Sequence, residues 1–330
     1  MTSLDETRDA DAHFAQGFEF QVSEPKKAIA SYQKALTLYE ALAKADPTKP
    51  EYQSNLANTH YNMGILFLET DRPKEAEVSY QKALILYEAV AKADPTVPEY
   101  QSNLANTHYG LGDLFDDTDR PEEAIASYQK ARAMYEALAK ADPTVPEYQS
   151  NLANTHDILG DLFGEDRSLE AEESYQEALT IREALTKAHP TILDFPSDLA
   201  YTHKILGDLF REMDRRLEAE VSYQKAIALW EYLSANGSTE HKYQTNLANT
   251  HKILGDLFRK TDRRLEAEVS YQKALTLWEA LAKAHPTELK YQSDLTNTHY
   301  NMGNLFLDMN RPEEAEVSFQ YAEAIRAKIR

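Results

Sequence analysis

The sequence repeats itself at a fixed interval, and no other feature limits the fold as strongly. Tyr-Gln-Ser-Asn-Leu-Ala-Asn-Thr-His stands unchanged at 52–60, 100–108 and 148–156, with variants beginning at Phe195, Tyr243 and Tyr291. Aligned on its histidine, the chain reads His13, His60, His108, His156, His203, His251 and His299, at spacings of 47 or 48 residues. A glycine follows each by four: Gly17, Gly64, Gly112, Gly160, Gly207, Gly255 and Gly303. Then come an alanine (Ala28, Ala76, Ala124, Ala171, Ala219, Ala267, Ala315), an aromatic four later (Tyr32, Tyr80, Tyr128, Tyr175, Tyr223, Tyr271, Phe319) and an alanine three beyond (Ala35, Ala83, Ala131, Ala178, Ala226, Ala274, Ala322). Seven such units describe a stacked array, because a single short unit cannot bury its own apolar faces.

Each unit reads as two helices. In the second, Tyr52, Leu56, His60, Met63, Gly64 and Phe67 mark one face at steps of three and four, the helical period. Ala76, Tyr80, Ala83, Leu84, Tyr87 and Ala91 mark the next. Pro50 and Pro73 suit first turns, where a missing N–H costs nothing. Thr48-x-x-Glu51, Thr96-x-x-Glu99 and Thr144-x-x-Glu147 have the form of capping boxes. Ser23, Asp71, Asp119, Asp166, Asp214, Asp262 and Asn310 are expected N-caps of the second helices. Asp94-Pro95 and its equivalents stop those helices. Glycine to alanine is 12 residues in five units and 11 in the first and fourth, so the missing residue is assigned to the inter-helix turn. The small residues let paired helices approach closely, near the lower end of ~8–10 Å. The expected repeats are 1–47, 48–95, 96–143, 144–190, 191–238, 239–286 and 287–330, as one solenoid over 1–330. Three places fray. The fifth unit begins late, at Pro196. Residues 233–242 lack the usual prolines and are expected to hinge, with Asn236-Gly237 as a left-handed cap. The last helix is short and carries no polar capping helix.

Composition narrows the function. A formal net charge of −20 disfavours nucleic acid and anionic membranes. Without cysteine, disulfides, zinc–thiolate sites and Cys nucleophiles are excluded. Met1 to Ala12 is acidic and polar, unlike a signal peptide, and no run approaches the roughly 18 apolar residues of a membrane helix. A soluble, cytoplasmic protein is expected.

The small residue on the first helix, with alanine, aromatic and alanine on the second, resembles the tetratricopeptide repeat over nearly the whole chain. The usual unit is about 34 residues, so these units are lengthened, roughly two turns per helix, as in the similar repeats of kinesin light chains. Histidine stands where that family usually has a bulky apolar or aromatic residue. The resemblance implies an all-α, right-handed α-solenoid of seven tandem helix hairpins, whose first helices line a concave groove for a peptide or partner helix.

Carrying over the family's groove positions gives the candidate partner-binding residues. Six before each glycine lie Asn58, Asn106, Asn154, Asn249 and Asn297, with Tyr201 in the fifth unit. Three before lie Tyr61, Tyr109, Asp157, Lys204, Lys252 and Tyr300. One after lie Ile65, Asp113, Asp161, Asp208, Asp256 and Asn304. The third and fourth units are acidic, adding Asp116, Asp117 and Glu165; the fifth and sixth mix in Arg211, Arg259 and Lys260. Asparagine amides both donate and accept, which suits an extended backbone. A partner with basic segments is the expected occupant. Asp208 and Asp256 also lie four after Lys204 and Lys252, the spacing of an ordinary intrahelical pair.

The histidine ladder does not read as metal, since equivalent residues on different helices lie about a helix-packing distance apart while zinc gathers its ligands within about 2.0–2.3 Å. Each imidazole is expected to pack between helices with a local hydrogen bond. No nucleophile elbow, P-loop or dinucleotide fingerprint is present. No catalytic residue, metal or cofactor is expected. The leading reading is a protein-interaction scaffold or adaptor. Alternatives are the regulatory module of a larger signalling or defence protein, with a kinase, caspase-like protease or nucleotide-binding switch, and a solenoid that self-associates through its uncapped ends.

Overall fold

The computed structural model describes residues 3–164, 166–236 and 241–329, and among them lie fourteen α-helices and no strand. The first helix of each pair is α1 (Ser3–Phe20), α3 (Pro50–Glu69), α5 (Pro98–Asp117), α7 (Pro146–Phe163), α9 (Asp194–Glu212), α11 (His241–Lys260) or α13 (Leu289–Asp308). The second is α2 (Pro25–Ala45), α4 (Pro73–Ala93), α6 (Pro121–Ala141), α8 (Ser168–Ala188), α10 (Arg216–Asn236), α12 (Arg264–Ala284) or α14 (Pro312–Ile329). Two compact units form, Met1–Leu162 and Phe163–Arg330. In the first, α1 through α6 pack in series, each on the next. In the second, α9 packs on both α8 and α10, and the series continues through α14. Each unit is an all-α solenoid of helix pairs. Among the described residues no helix is long and apolar enough to cross a membrane.

The motif residues form the core. Ala57 of α3, Ala83, Tyr87 and Val90 of α4, and Tyr100 and Leu104 of α5 make one buried cluster. The second helix of a pair is thus buried partly by its partner and partly by the next pair. Glycine and aromatic are two halves of one contact. A Cβ on Gly112 would lie 2.6 Å from Cε1 of Tyr128. Gly112→Ala must therefore push a buried ring aside, and it is expected to cost about 1–3 kcal/mol despite alanine's better helix propensity. Gly110, whose Cβ would stand 3.0 Å from Tyr80, is expected to lose less when changed to alanine. Urea unfolding of the two variants checks the order, and equal midpoints would contradict the contact.

The turns correct the expected caps. Asp71, Asp119, Asp214, Asp262 and Asn310 are not N-caps: each has φ of 57–59°, the left-handed conformation that closes a helix C-terminus. The next N–H reaches back five residues to the last phenylalanine of the first helix, as from Arg72 to the Phe67 carbonyl at 2.8 Å. These five turns are the longer ones. In the shorter ones Glu24 and Arg167 bond only four residues back, to Phe20 and Phe163; the residue equivalent to Asp71 is missing there, and in the fourth turn Gly164, directly after Phe163, is left-handed instead, at φ 54°. The N-caps are Glu24, Arg72, Arg120, Arg167 and Arg263, none with a side-chain capping bond. Nor do Thr48 and Thr96 cap: Lys49 and Val97 hold those positions. Thr48, Thr96 and Thr144 instead donate to Asp46, Asp94 and Asp142 at 2.6 Å, bracing the Asp-Pro-Thr turn. Pro50 and Pro73 do open their helices. The fifth pair starts at Asp194, two residues ahead of Pro196. Of the expected hinge, α10 runs to Asn236 and α11 begins at His241; Gly237 to Glu240 lie outside the described residues.

Candidate functional site

The candidate groove residues lie on the first helices, and the structure shows what supports them from behind. The hydroxyl of Tyr128 donates to Asp113 at 2.6 Å, Tyr223 to Asp208 at 2.7 Å and Tyr271 to Asp256 at 2.6 Å. The aromatic that packs on the glycine therefore reaches through the helix pair to the carboxylate one residue beyond it. Where the aromatic is Phe319, without a hydroxyl, the corresponding residue is Asn304. Burial pushes the Asp113 carboxyl up to about 6; the Tyr128 bond pulls it down, and the nearby Asp117 and Asp116 raise it further. Removing the hydroxyl in Tyr128→Phe is thus expected to raise the Asp113 pKa above that value and to cost about 1.5–3 kcal/mol, as for a bond to a charged group. Carboxyl chemical shifts followed through a pH titration read the first effect, and a downward move would overturn the assignment.

The other candidates are similarly held. Tyr61, Tyr109 and Tyr300 are half-buried and lean on Tyr80, Tyr128 and Phe319, with ring centroids 5.8, 5.3 and 5.9 Å apart. Asn106 accepts from Tyr135. Asn58 accepts from Asn62 at 2.9 Å. Asn154 and Asn249 are half-buried, and Asn297 and Asp161 are exposed. Asp157 is buried, which takes it out of the surface. Lys204 pairs with Asp208 at 2.7 Å, the expected intrahelical bridge, and Arg211 approaches the same carboxylate at 3.4 Å. Lys252 lies instead beside Asp294, whose carboxyl it lowers against a larger rise from burial. Glu165 lies outside the described residues.

In the second unit these positions border a cleft of about 410 Å³, lined by Arg211, Asp256, Leu257, Arg259, Lys260, Tyr271 and Asp308. Arg259 donates to Asp308 at 2.6 Å, and Asn301 donates to Asp256 at 2.9 Å. A cleft with both signs of charge and fixed donors and acceptors fits a polar segment better than an apolar ligand.

The histidine ladder is buried: His60, His108, His203, His251 and His299 are each less than a tenth exposed. Desolvation, with a smaller push from Lys82, Lys130, Arg132, Lys225 and Lys273 on the adjoining second helices, lowers His60, His108, His156, His203 and His251 to about 4. The expected local hydrogen bond is not general. Nδ1 of His13, His156, His203 and His251 is buried without a protein partner. The rings of His60, His108, His156, His203 and His251 are held by packing in the neutral form.

Sequence reading missed the turn arginines. Arg72, Arg120, Arg167, Arg215, Arg263 and Arg311 each lie over the phenylalanine closing the preceding helix, 4.2–4.4 Å from the ring centroid. Each also pairs with the glutamate three residues on. Arg120, Arg215, Arg263 and Arg311 reach back as well to Glu77, Glu172, Glu220 and Glu268 of the previous pair. The signal was present as a glutamate after the first motif alanine, absent only at Ile29 and Ile125.

Residues 55–137 match the family model described as tetratricopeptide repeat. No curated protein matches the chain in sequence. Among solved structures, BtubC (BKLC) from P. vanneervenii superposes with a TM-score of 0.57 at 21% identity, over 76% of this chain and 90% of that one. The apo form of RapI gives 0.56 at 16% identity, over 97% and 98%. Aspartyl phosphate phosphatase F from Bacillus subtilis gives 0.55 at 15%, over 99% and 72%. At these identities the likeness is one of fold.

Proposed function

We propose that this chain, which is a tetratricopeptide-repeat protein, is a non-enzymatic scaffold that holds a protein or peptide segment along the face of its first helices, the concave side in this family. The observation that carries the reading is the row of tyrosine–aspartate bonds at Asp113, Asp208 and Asp256. Each carboxylate is oriented before a partner arrives, so less ordering entropy opposes binding. Within the second unit Asp208 and Asp256 stand at successive repeats and can accept from a bound chain, and basic side chains on that chain add long-range attraction to an acidic protein.

The test must spare the aspartates that hold tyrosine hydroxyls, because replacing them disturbs the helix pair. Lys252 and Asn297 are candidates that hold no tyrosine hydroxyl. The combined variant Lys252→Glu and Asn297→Ala is expected to keep its circular dichroism and to lose a partner that the wild type retains from an extract of the native host. A partner retained equally by both, while competing with no groove peptide, would place binding elsewhere.

A further inference from the structure

The sixth helix pair carries two histidines that do not belong to the ladder. His241 is the first residue of α11, and His285 follows the last turn of α12, where its N–H bonds back to the Leu281 carbonyl at 2.9 Å. They are far apart in sequence, yet the packing of α12 back along α11 brings the start of one helix beside the end of the other. The two ring centroids stand 4.8 Å apart. The fold does not require histidine at either place. In the second pair the same two positions hold Pro50 and Asp94, and in the third Pro98 and Asp142. Tyr291 of α13, 6% exposed, backs both rings: its centroid lies 5.8 Å from that of His285 and 6.3 Å from that of His241. Trp278 supports Tyr291 in turn, at 6.2 Å. The imidazoles are thus seated on a buried aromatic wall and still reach solvent, His241 exposed and His285 half-buried. The ladder rings His203 and His251 of the same unit are, by contrast, buried.

We infer that His241 and His285 together bind a divalent transition-metal ion of the zinc type, whose remaining positions water fills. Imidazole nitrogen suits zinc, whereas magnesium and calcium take oxygen ligands. Zinc holds an imidazole nitrogen at about 2.0–2.1 Å, which puts the ring centre about 3 Å from the ion, so two imidazoles at a tetrahedral angle have centres about 5 Å apart. The 4.8 Å between His241 and His285 is that spacing. Their rings are tilted by 49° rather than stacked, and tilted rings can aim their in-plane lone pairs at one point where parallel rings cannot. Among the described residues no group of three or more histidines and carboxylates could hold a metal, so the protein supplies two ligands and the ion keeps water. Such a site is weaker than a closed structural zinc, and it fills and empties with the metal concentration. The acidic chain draws cations toward it. A bound ion ties the open ends of α11 and α12 together. Only the folded chain brings the two imidazoles side by side, so the ion stabilises the folded form. The site uses none of the groove residues, and its failure leaves the groove reading intact.

The test is calorimetric titration of the tag-free full chain with zinc chloride, against magnesium chloride, read alongside the imidazole proton resonances. One zinc per chain is expected, with the resonances of His241 and His285 moving and those of His189, His203 and His251 staying. Magnesium is expected to do neither. His241→Pro is expected to weaken zinc binding by more than the about tenfold that losing even an outer-shell partner costs. Its fold is secure, because Pro50, Pro98 and Pro146 open the equivalent helices. His285→Asn is expected to do the same, and His189→Asn, at the matching position of the fourth pair, nothing. Zinc is also expected to raise the urea midpoint of the wild type and of neither His241→Pro nor His285→Asn. No zinc binding, binding that survives both substitutions, or movement of other imidazoles in place of these two would overturn the inference. So would half a zinc per chain with a doubled mass in sedimentation, since a second copy rather than water would then complete the ion.

Discussion

Between about pH 7.5 and about pH 5.5 the folded protein is expected to lose several kcal/mol of stability, more than most single substitutions remove. Five histidines, the buried His60, His108, His203 and His251 and the half-buried His156, have folded pKa values near 4, against about 6.5 when unfolded. The unfolded chain therefore takes up protons first as the pH falls. The histidine contribution is complete above about 6.5, declines below it, and is exhausted near 4. Linkage assigns each histidine about 1.4 kcal/mol over that interval, on the order of 7 kcal/mol for all five. Asp113 opposes this, since its carboxyl, raised to about 6, gains a proton in the folded state first. Asp198 and Asp294 are shifted in the same upward direction. Three carboxyls do not offset five imidazoles. Urea midpoints at the two pH values measure the effect, and His203→Leu with His251→Leu is expected to remove about two fifths of it. Superimposable unfolding curves would mean that the ladder is not buried neutral.

Most of the fold was legible because it is periodic. The helix pairs, the glycine–aromatic contact and the turn position of the deletion all follow from spacing, which seven copies make unambiguous. What remained illegible depends on single residues with two uses. Aspartate serves equally as N-cap and as left-handed C-terminal residue, so Asp71 read as the former and is the latter. Thr48 has the spacing of a capping box, but Asp46 two residues before it offers a nearer acceptor. The groove aspartates were found by family position, yet nothing in the spacing told that Tyr128, fifteen residues after Asp113, would bond it across the pair. His241 and His285 were passed over for a related reason. Each reads as a residue of its own junction, and only the packing of α12 along α11 sets the two rings side by side.

Trp278→Ala is expected to be among the most damaging single changes, at about 3–5 kcal/mol, while a larger side chain at the same register position two units away is expected to stabilise. Seven residues after the motif aromatic the chain carries Tyr39, Tyr87, Tyr135, Arg182, Trp230 and Trp278, all buried. Trp278 is 1% exposed and lies 6.2 Å, ring to ring, from Tyr291 of the next pair. Its removal leaves a cavity at the junction of α12 and α13, so amide exchange should quicken there first. Arg182 puts a guanidinium in the same place, 5% exposed, with Nη1 4.0 Å from Asp198. That separation is too long for a good hydrogen bond, and the guanidinium Nε is buried without an acceptor, so part of the cost of desolvating the charge is left uncompensated. Sixteen residues after Trp230 stands Asn246, as Asp198 stands sixteen after Arg182. Arg182→Trp with Asp198→Asn would therefore reproduce a junction that the chain already builds between α10 and α11. It is expected to raise stability by about 1–4 kcal/mol, the gain seen when buried ion pairs give way to apolar packing. Arg182→Ala, which neither fills the space nor keeps the charge, is expected to lose stability instead. If the double variant unfolds at lower urea than the wild type, Arg182 is bound more favourably than its distance to Asp198 implies, and the aromatic register is not what this junction needs.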